Sequence, residues 1–177
     1  MTTISNSITL ERWLPDLDAQ FDLPIWRQWL TDQGSLTERL TLLARGDFHV
    51  EVLREGWAKA RPDEHQALGV VSDQPIWVRE VVLYGADQPW VYARTAMQAD
   101  AVNNSLSEFT TLGNRPLGAV LFNNPHCDRG EIDTGMALLT TLTSARPSRR
   151  SCFQYLNHPI IVAESFLPAF EHAITSA

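Results

Sequence analysis

Two pairs of strand-like runs, each pair separated by a very short connection, constrain this chain more than any other feature. Residues 76–84 (Ile-Trp-Val-Arg-Glu-Val-Val-Leu-Tyr) and 90–97 (Trp-Val-Tyr-Ala-Arg-Thr-Ala-Met) are rich in β-branched and aromatic residues. They are joined only by Gly85-Ala86-Asp87-Gln88-Pro89, short enough for an antiparallel hairpin. Residues 149–156 and 159–167 repeat the arrangement and meet at the tight turn Asn157-His158-Pro159. From Phe48 the pattern has period two, with Phe48, Val50 and Val52 on one side and His49, Glu51 and Leu53 on the other. Residues 129–136 offer a sixth strand.

The front of the chain is helical in pattern. Leu23, Trp26, Trp29 and Leu30 share one face of a short helix capped by Asp22. Ser35 followed by Glu38 forms a capping box that opens a second helix through Leu40, Leu42 and Leu43. Leu106, Phe109 and Leu112 make a helical stripe stopped by Gly113, and residues 116–122 read as a short helix or turn. Six strands with short connections and segregated helices predict an α+β fold with one antiparallel sheet and helices covering one face. The 177 residues fit a single domain.

Charge narrows the function classes. Fourteen basic and 21 acidic side chains give a net charge of −7, so a phosphate-tracking nucleic-acid surface is not expected. Only Arg146, Arg149 and Arg150 cluster in sequence, as a solvated basic turn or a ligand clamp. No run approaches the roughly 18 apolar residues of a membrane-spanning helix. The opening Met-Thr-Thr-Ile-Ser-Asn-Ser lacks the basic and apolar regions of a signal peptide, so a cytoplasmic protein without membrane insertion is expected. Cys127 and Cys152 lack CxxC spacing, which leaves a disulfide scaffold and a thiolate zinc site unsupported. His126 and Cys127 read as loop residues, His158 and His172 as turn and tail, and His49 as a strand surface residue. No dinucleotide, Walker or nucleophile-elbow motif occurs, so no metal and no organic cofactor is expected. No obvious amphipathic dimer helix is present, and a monomer is expected.

The informative residues are charges that interrupt apolar strand faces. Arg79 shares a face with Trp77, Val81 and Leu83; Glu164 shares one with Ile160, Val162 and Phe166. An unpaired buried charge costs several kcal/mol. Each must therefore find a protein partner, as in a structural ion pair, or sit in a site that a ligand completes. Arg94, alternating with Trp90 and Tyr92, pairs with a carboxylate or stacks on the aromatics.

Five short segments in order make the chain similar to a known family. Leu53-Arg54-Glu55-Gly56, Trp77-Val78-Arg79-Glu80-Val81, Arg115-Pro116-Leu117-Gly118 with Leu121-Phe122, Arg149-Arg150-Ser151 and Glu164-Ser165-Phe166-Leu167-Pro168 resemble the chorismate pyruvate-lyases. These enzymes make 4-hydroxybenzoate and pyruvate from chorismate, the first committed step of ubiquinone biosynthesis. The resemblance spans about residues 35–168. It implies a six-stranded antiparallel sheet and flap-like helices over a buried site. It also implies Arg79 as the ring-carboxylate residue and Glu164 as the acid facing the hydroxyl end. Backbone contacts are implied from Leu117, Gly118 and the Ser35-Leu36-Thr37 segment, where the family pattern has Met in place of Leu36. Arg149 and Arg150 are implied at the second carboxylate.

The residue types suit that chemistry. Chorismate is a dianion, an Arg fork binds a carboxylate bidentately, and burial of a carboxyl among Ile160, Val162 and Phe166 favours the neutral, proton-donating form expected of a general acid. A second reading is a non-catalytic sensor or carrier of a small aromatic carboxylate, since the same sheet architecture resembles the effector domain of certain bacterial repressors. Such a regulator carries a basic winged-helix module, whereas fewer than 40 residues precede the span of the resemblance here, and they are not basic.

Overall fold

The computed structural model describes residues 8–15, 24–71 and 73–175. Seven strands form one antiparallel sheet: β1 (Leu10–Pro15), β2 (Phe48–Lys59), β3 (Pro75–Gly85), β4 (Gln88–Gln98), β5 (Cys127–Leu139), β6 (Arg146–Tyr155) and β7 (His158–Phe166). Their order is β1-β5-β6-β7-β4-β3-β2. Six of them answer to the runs read from the sequence; the seventh, β1, corrects the expected count. Leu10–Pro15 is short, slips register between Leu10 and Arg12, and ends in a proline that only an edge position tolerates, so it carries no clean period-two pattern.

Both expected hairpins form, with turns tighter than the sequence spacing suggested. Gly85 pairs with Gln88 and Tyr155 with His158, leaving Ala86-Asp87 and Leu156-Asn157 as two-residue turns. All four turn residues have positive φ, between 50° and 65°, the backbone that matches the twist of the flanking strands.

One sheet face is covered by helices in two groups. In the first, α1 (Pro24–Leu30), α2 (Leu36–Leu43) and α6 (Pro168–Thr175) bury Trp26, Trp29, Leu40 and Phe170 against Val81, Leu83, Val91 and Phe166. Trp29 meets Phe170 edge-to-face at 4.9 Å. Asp22 and Leu23, expected to open α1, lie outside the described residues. Ser35 Oγ accepts the Glu38 amide at 3.4 Å and caps α2, but the return bond from the Ser35 amide to the Glu38 carboxylate that would complete the expected capping box is not present among the described residues.

The second group is α4 (Ala99–Asn104), a 3₁₀ turn (Ser107–Thr111) and α5 (Leu117–Asn123), packed on Met97, Phe153, Ile160 and Val162. The Leu106, Phe109 and Leu112 stripe is buried as expected, but on the tighter 3₁₀ turn. Gly113 takes the left-handed backbone, φ +56°, that ends it. The expectation that helices cover one face fails at α3 (Pro62–Leu68), which packs Leu68 on Val78, Ala96 and Ile161 of the other face.

That other face carries a buried ionic network. Arg94 bonds Glu64 through Nε at 2.8 Å and Glu80 through Nη1 at 2.8 Å. Thr9 and the Tyr92 hydroxyl also donate to Glu80, at 2.7 and 2.9 Å. Arg94 is thus an ion-pair residue rather than an aromatic stacker. Burial alone would raise the Glu80 carboxyl, but donation from Thr9, Arg94 and Tyr92 holds it below the ordinary glutamate range.

Candidate active site

Between the two helix groups the sheet is left open to a cavity whose non-atom space, open solvent at its mouth included, is about 590 Å³. Its floor is strand side chains of the helix-covered face: Val50, Arg79, Val81, Leu83, Ala93, Thr95, Arg149, Phe153, Val162 and Glu164. Opposite them stand Leu36 and Thr37 from the start of α2, and Pro116, Leu117, Gly118, Leu121 and Phe122 from α5 and its lead-in. The two helix starts lie close together: a Cβ on Gly118 would sit 3.1 Å from Thr37 Oγ1 and 3.3 Å from Ser35 Oγ, tighter than nearly all real contacts.

The cavity is apolar apart from charged groups at defined places. Arg79 is 2% exposed; its register partner across β2 and β3 is Glu55, whose carboxylate accepts from Nη1. Arg79 Nη2 donates to the carbonyls of Gly113 at 2.7 Å and Arg115 at 3.2 Å. Nε and the second Nη1 hydrogen have no hydrogen-bond partner among the described residues. The loop after the 3₁₀ turn therefore helps to hold the guanidinium in place.

Glu164 and Arg149 are register partners across β6 and β7, and Arg149 Nε donates to Glu164 Oε2 at 2.6 Å. Arg149 is 1% exposed and also binds the carbonyls of Trp29 at 3.1 Å and Asp32 at 2.9 Å, which ties the end of α1 to the sheet. Arg149 is thus the protein partner of the partly buried Glu164, whose Oε1 is free of protein hydrogen bonds among the described residues.

Six residues singled out from the sequence line this one cavity: Leu36, Arg79, Leu117, Gly118, Arg149 and Glu164. Arg150 does not. Successive strand residues point to opposite faces, so Arg150 turns away from Arg149 to pair with Asp63 at 3.2 Å and Asp133 at 3.1 Å, over the Trp13 ring. Nor is 146–150 a solvated turn: it begins β6, and Arg146 is buried with its Nε on the Phe166 carbonyl.

Arg129, which the sequence reading passed over, also lines the cavity. It opens a strand candidate, but its neighbours Asp128, Gly130 and Glu131 form no apolar face for a charge to interrupt. The register shift between Arg129 and Ile132 hid which face it serves. Asp47, His49 and Asp87 bring metal-ligand atoms within 4.8 Å of one another, but they are exposed and outside the cavity lining.

The pocket lies on an antiparallel sheet, apolar in its walls and equipped with buried arginines and an ion-paired carboxylate, in a protein of the α+β class. The sequence model of the chorismate lyase family matches residues 8–174, and the chain belongs to this family. It is 41% identical over 172 residues to a probable chorismate pyruvate-lyase of Pseudomonas putida, covering 91% of this chain and 90% of that one. With the probable chorismate pyruvate-lyase of Pseudomonas aeruginosa it shares 42% over 151 residues, covering 82% and 85%. In fold it is similar to the effector domain of PhnF from Mycobacterium smegmatis, with a TM-score of 0.52 at 13% identity over 78% of this chain and 91% of that one. No described helix is long and apolar enough to cross a membrane.

Proposed function

We propose that the protein is a chorismate pyruvate-lyase, a carbon–oxygen lyase that converts chorismate to 4-hydroxybenzoate and pyruvate and so supplies the aromatic ring for ubiquinone. The observation that carries this reading is the placing of Arg79 and Glu164 on the floor of one cavity in a chain of this family.

The roles follow from the groups each atom can serve. Arg79, through its unengaged N–H groups, takes the ring carboxylate; an arginine presents paired donors where lysine offers a point charge. Leu117 and Gly118 at the start of α5, with Leu36 at the start of α2, offer backbone amides that have no partner within their own helices. The starts of α2 and α5 act as flaps over the bound ring. Glu164 faces the hydroxyl-bearing carbon through Oε1 while Arg149 anchors Oε2.

The chemistry needs one bond broken and one proton moved. The bond from ring carbon to enolpyruvyl oxygen breaks, and the neighbouring hydroxyl-bearing carbon loses its hydrogen as a proton. The electron pair of that C–H bond completes the aromatic ring. The departing enolpyruvate gains a proton and tautomerises to pyruvate, so atoms and charge balance. Glu164 Oε1, which Arg149 leaves free, is the group that exchanges the proton between the hydroxyl-bearing carbon and the departing enolpyruvate, and afterwards it hydrogen-bonds the product hydroxyl.

Purified protein is incubated with chorismate in EDTA and followed by ultraviolet absorbance of 4-hydroxybenzoate and by pyruvate detection. Turnover supports the lyase reading. Absence of turnover with intact binding of 4-hydroxybenzoate overturns it in favour of a sensor or carrier.

A further inference from the structure

Three arginines line the cavity, and two of them are already neutralised by the protein. Arg79 is paired with Glu55 and Arg149 with Glu164. Arg129 has no carboxylate in ion-pair contact among the described residues. Its Nε donates to Ser151 Oγ at 3.0 Å, and Nη1 to the carbonyls of Gln33 at 3.0 Å, Gly34 at 3.2 Å and Asp32 at 3.5 Å. These neutral partners aim the guanidinium without cancelling its charge. Phe153 and Phe122 flank it, with ring centroids 5.2 and 5.7 Å from Cζ. Nη2 has no hydrogen-bond partner among the described residues.

The setting is electrostatically costly. Burial and the neighbouring Arg149 press the Arg129 guanidinium below its ordinary value, and Glu164 and Asp32 offset this only in part. In a protein with net charge −7, a cation at the cavity wall without an ion-pair partner among the described residues is a place suited to an anion.

We infer that Arg129 is the specificity-determining residue for the enolpyruvyl carboxylate, the charge that chorismate has and 4-hydroxybenzoate lacks. This rests on the lyase reading and adds to it a division of labour. Arg79 and Glu164 grip the ring, which substrate and product share, whereas Arg129 grips only the part that leaves. After cleavage the cation loses its partner as pyruvate departs, so Arg129 favours substrate over retained product.

The test compares two ligands on two variants. Arg129→Gln is expected to raise KM for chorismate about 10- to 100-fold, the worth of a charge-assisted hydrogen bond, while the Kd for 4-hydroxybenzoate changes less than about 3-fold. Arg129→Lys, which keeps the charge but not the fork, recovers part of the loss. Bound 4-hydroxybenzoate reports folding of each variant. An unchanged KM in Arg129→Gln overturns the inference, and so does equal loss of both ligands in the variants. Wild-type protein that binds 4-hydroxybenzoate yet leaves chorismate intact overturns the lyase reading itself, and this inference with it.

Discussion

The Arg149–Glu164 pair is the place to test whether the site is wired as described. Arg149→Met removes a guanidinium that is 1% exposed and makes three hydrogen bonds: to Glu164 at 2.6 Å, Trp29 O at 3.1 Å and Asp32 O at 2.9 Å. Methionine fills much of the same space, so the loss is chiefly of charge and donors. Removing one partner of a buried ion pair costs about 3–5 kcal/mol because the other charge is left uncompensated. For a chain of this length, each kcal/mol lowers Tm by roughly 2–4 °C, so the expected drop is about 6–20 °C.

The diagnostic quantity is the coupling. Glu164→Gln in the Arg149→Met background removes the stranded carboxylate, so the double variant is expected to be more stable than the sum of the single losses by about 2 kcal/mol. Urea unfolding of the four proteins measures this directly from midpoints and slopes. Losses that add to within about 0.5 kcal/mol would mean that the two groups do not interact in solution. The description of Glu164 as an anchored carboxylate would then be wrong.

Two further outcomes follow from the same structure. Glu164→Ala is expected to lose turnover by more than about 100-fold while the Kd for 4-hydroxybenzoate rises about 10-fold or less, because the ring carboxylate stays on Arg79; equal losses would make Glu164 a binding group alone. On the other sheet face, Glu80 has a folded-state value held below the ordinary glutamate range, and Asp63 is likewise lowered, burial being outweighed by Arg61 and Arg150. Depressed carboxyls contribute stability that is present above their unfolded values, near pH 4, and lost as pH falls through the folded ones. The urea midpoint of the wild type is therefore expected to fall between about pH 5 and pH 3, and Glu80→Gln, each protein referred to its own midpoint at the higher pH, to show a flatter decline; an equal slope would remove Glu80 from the account.

Much of the site was legible in the sequence because strand periodicity is a geometric rule. Arg79 and Glu164 stood out as charges on apolar faces, and the sheet order β7-β4-β3 brings those faces together. What the sequence did not show was contact between residues on different strands. Glu55 opposite Arg79, and Arg149 opposite Glu164, depend on register, which turn geometry and bulges decide. The same blindness grouped Arg149 with Arg150, although adjacent strand residues part to opposite faces, and it missed Arg129 beside a register shift. The Glu64–Arg94–Glu80 network lay further out of reach, because α3 was not foreseen and it supplies Glu64. β1 escaped for a related reason: a short edge strand ending in proline pairs on one side only and has little need of a pattern.

The most direct test of the central claim is a single-turnover mass balance with protein in excess of chorismate, quenched and analysed for all three small molecules. The account predicts that each chorismate consumed yields one 4-hydroxybenzoate and one pyruvate. Chorismate recovered intact from protein that still binds 4-hydroxybenzoate would contradict it.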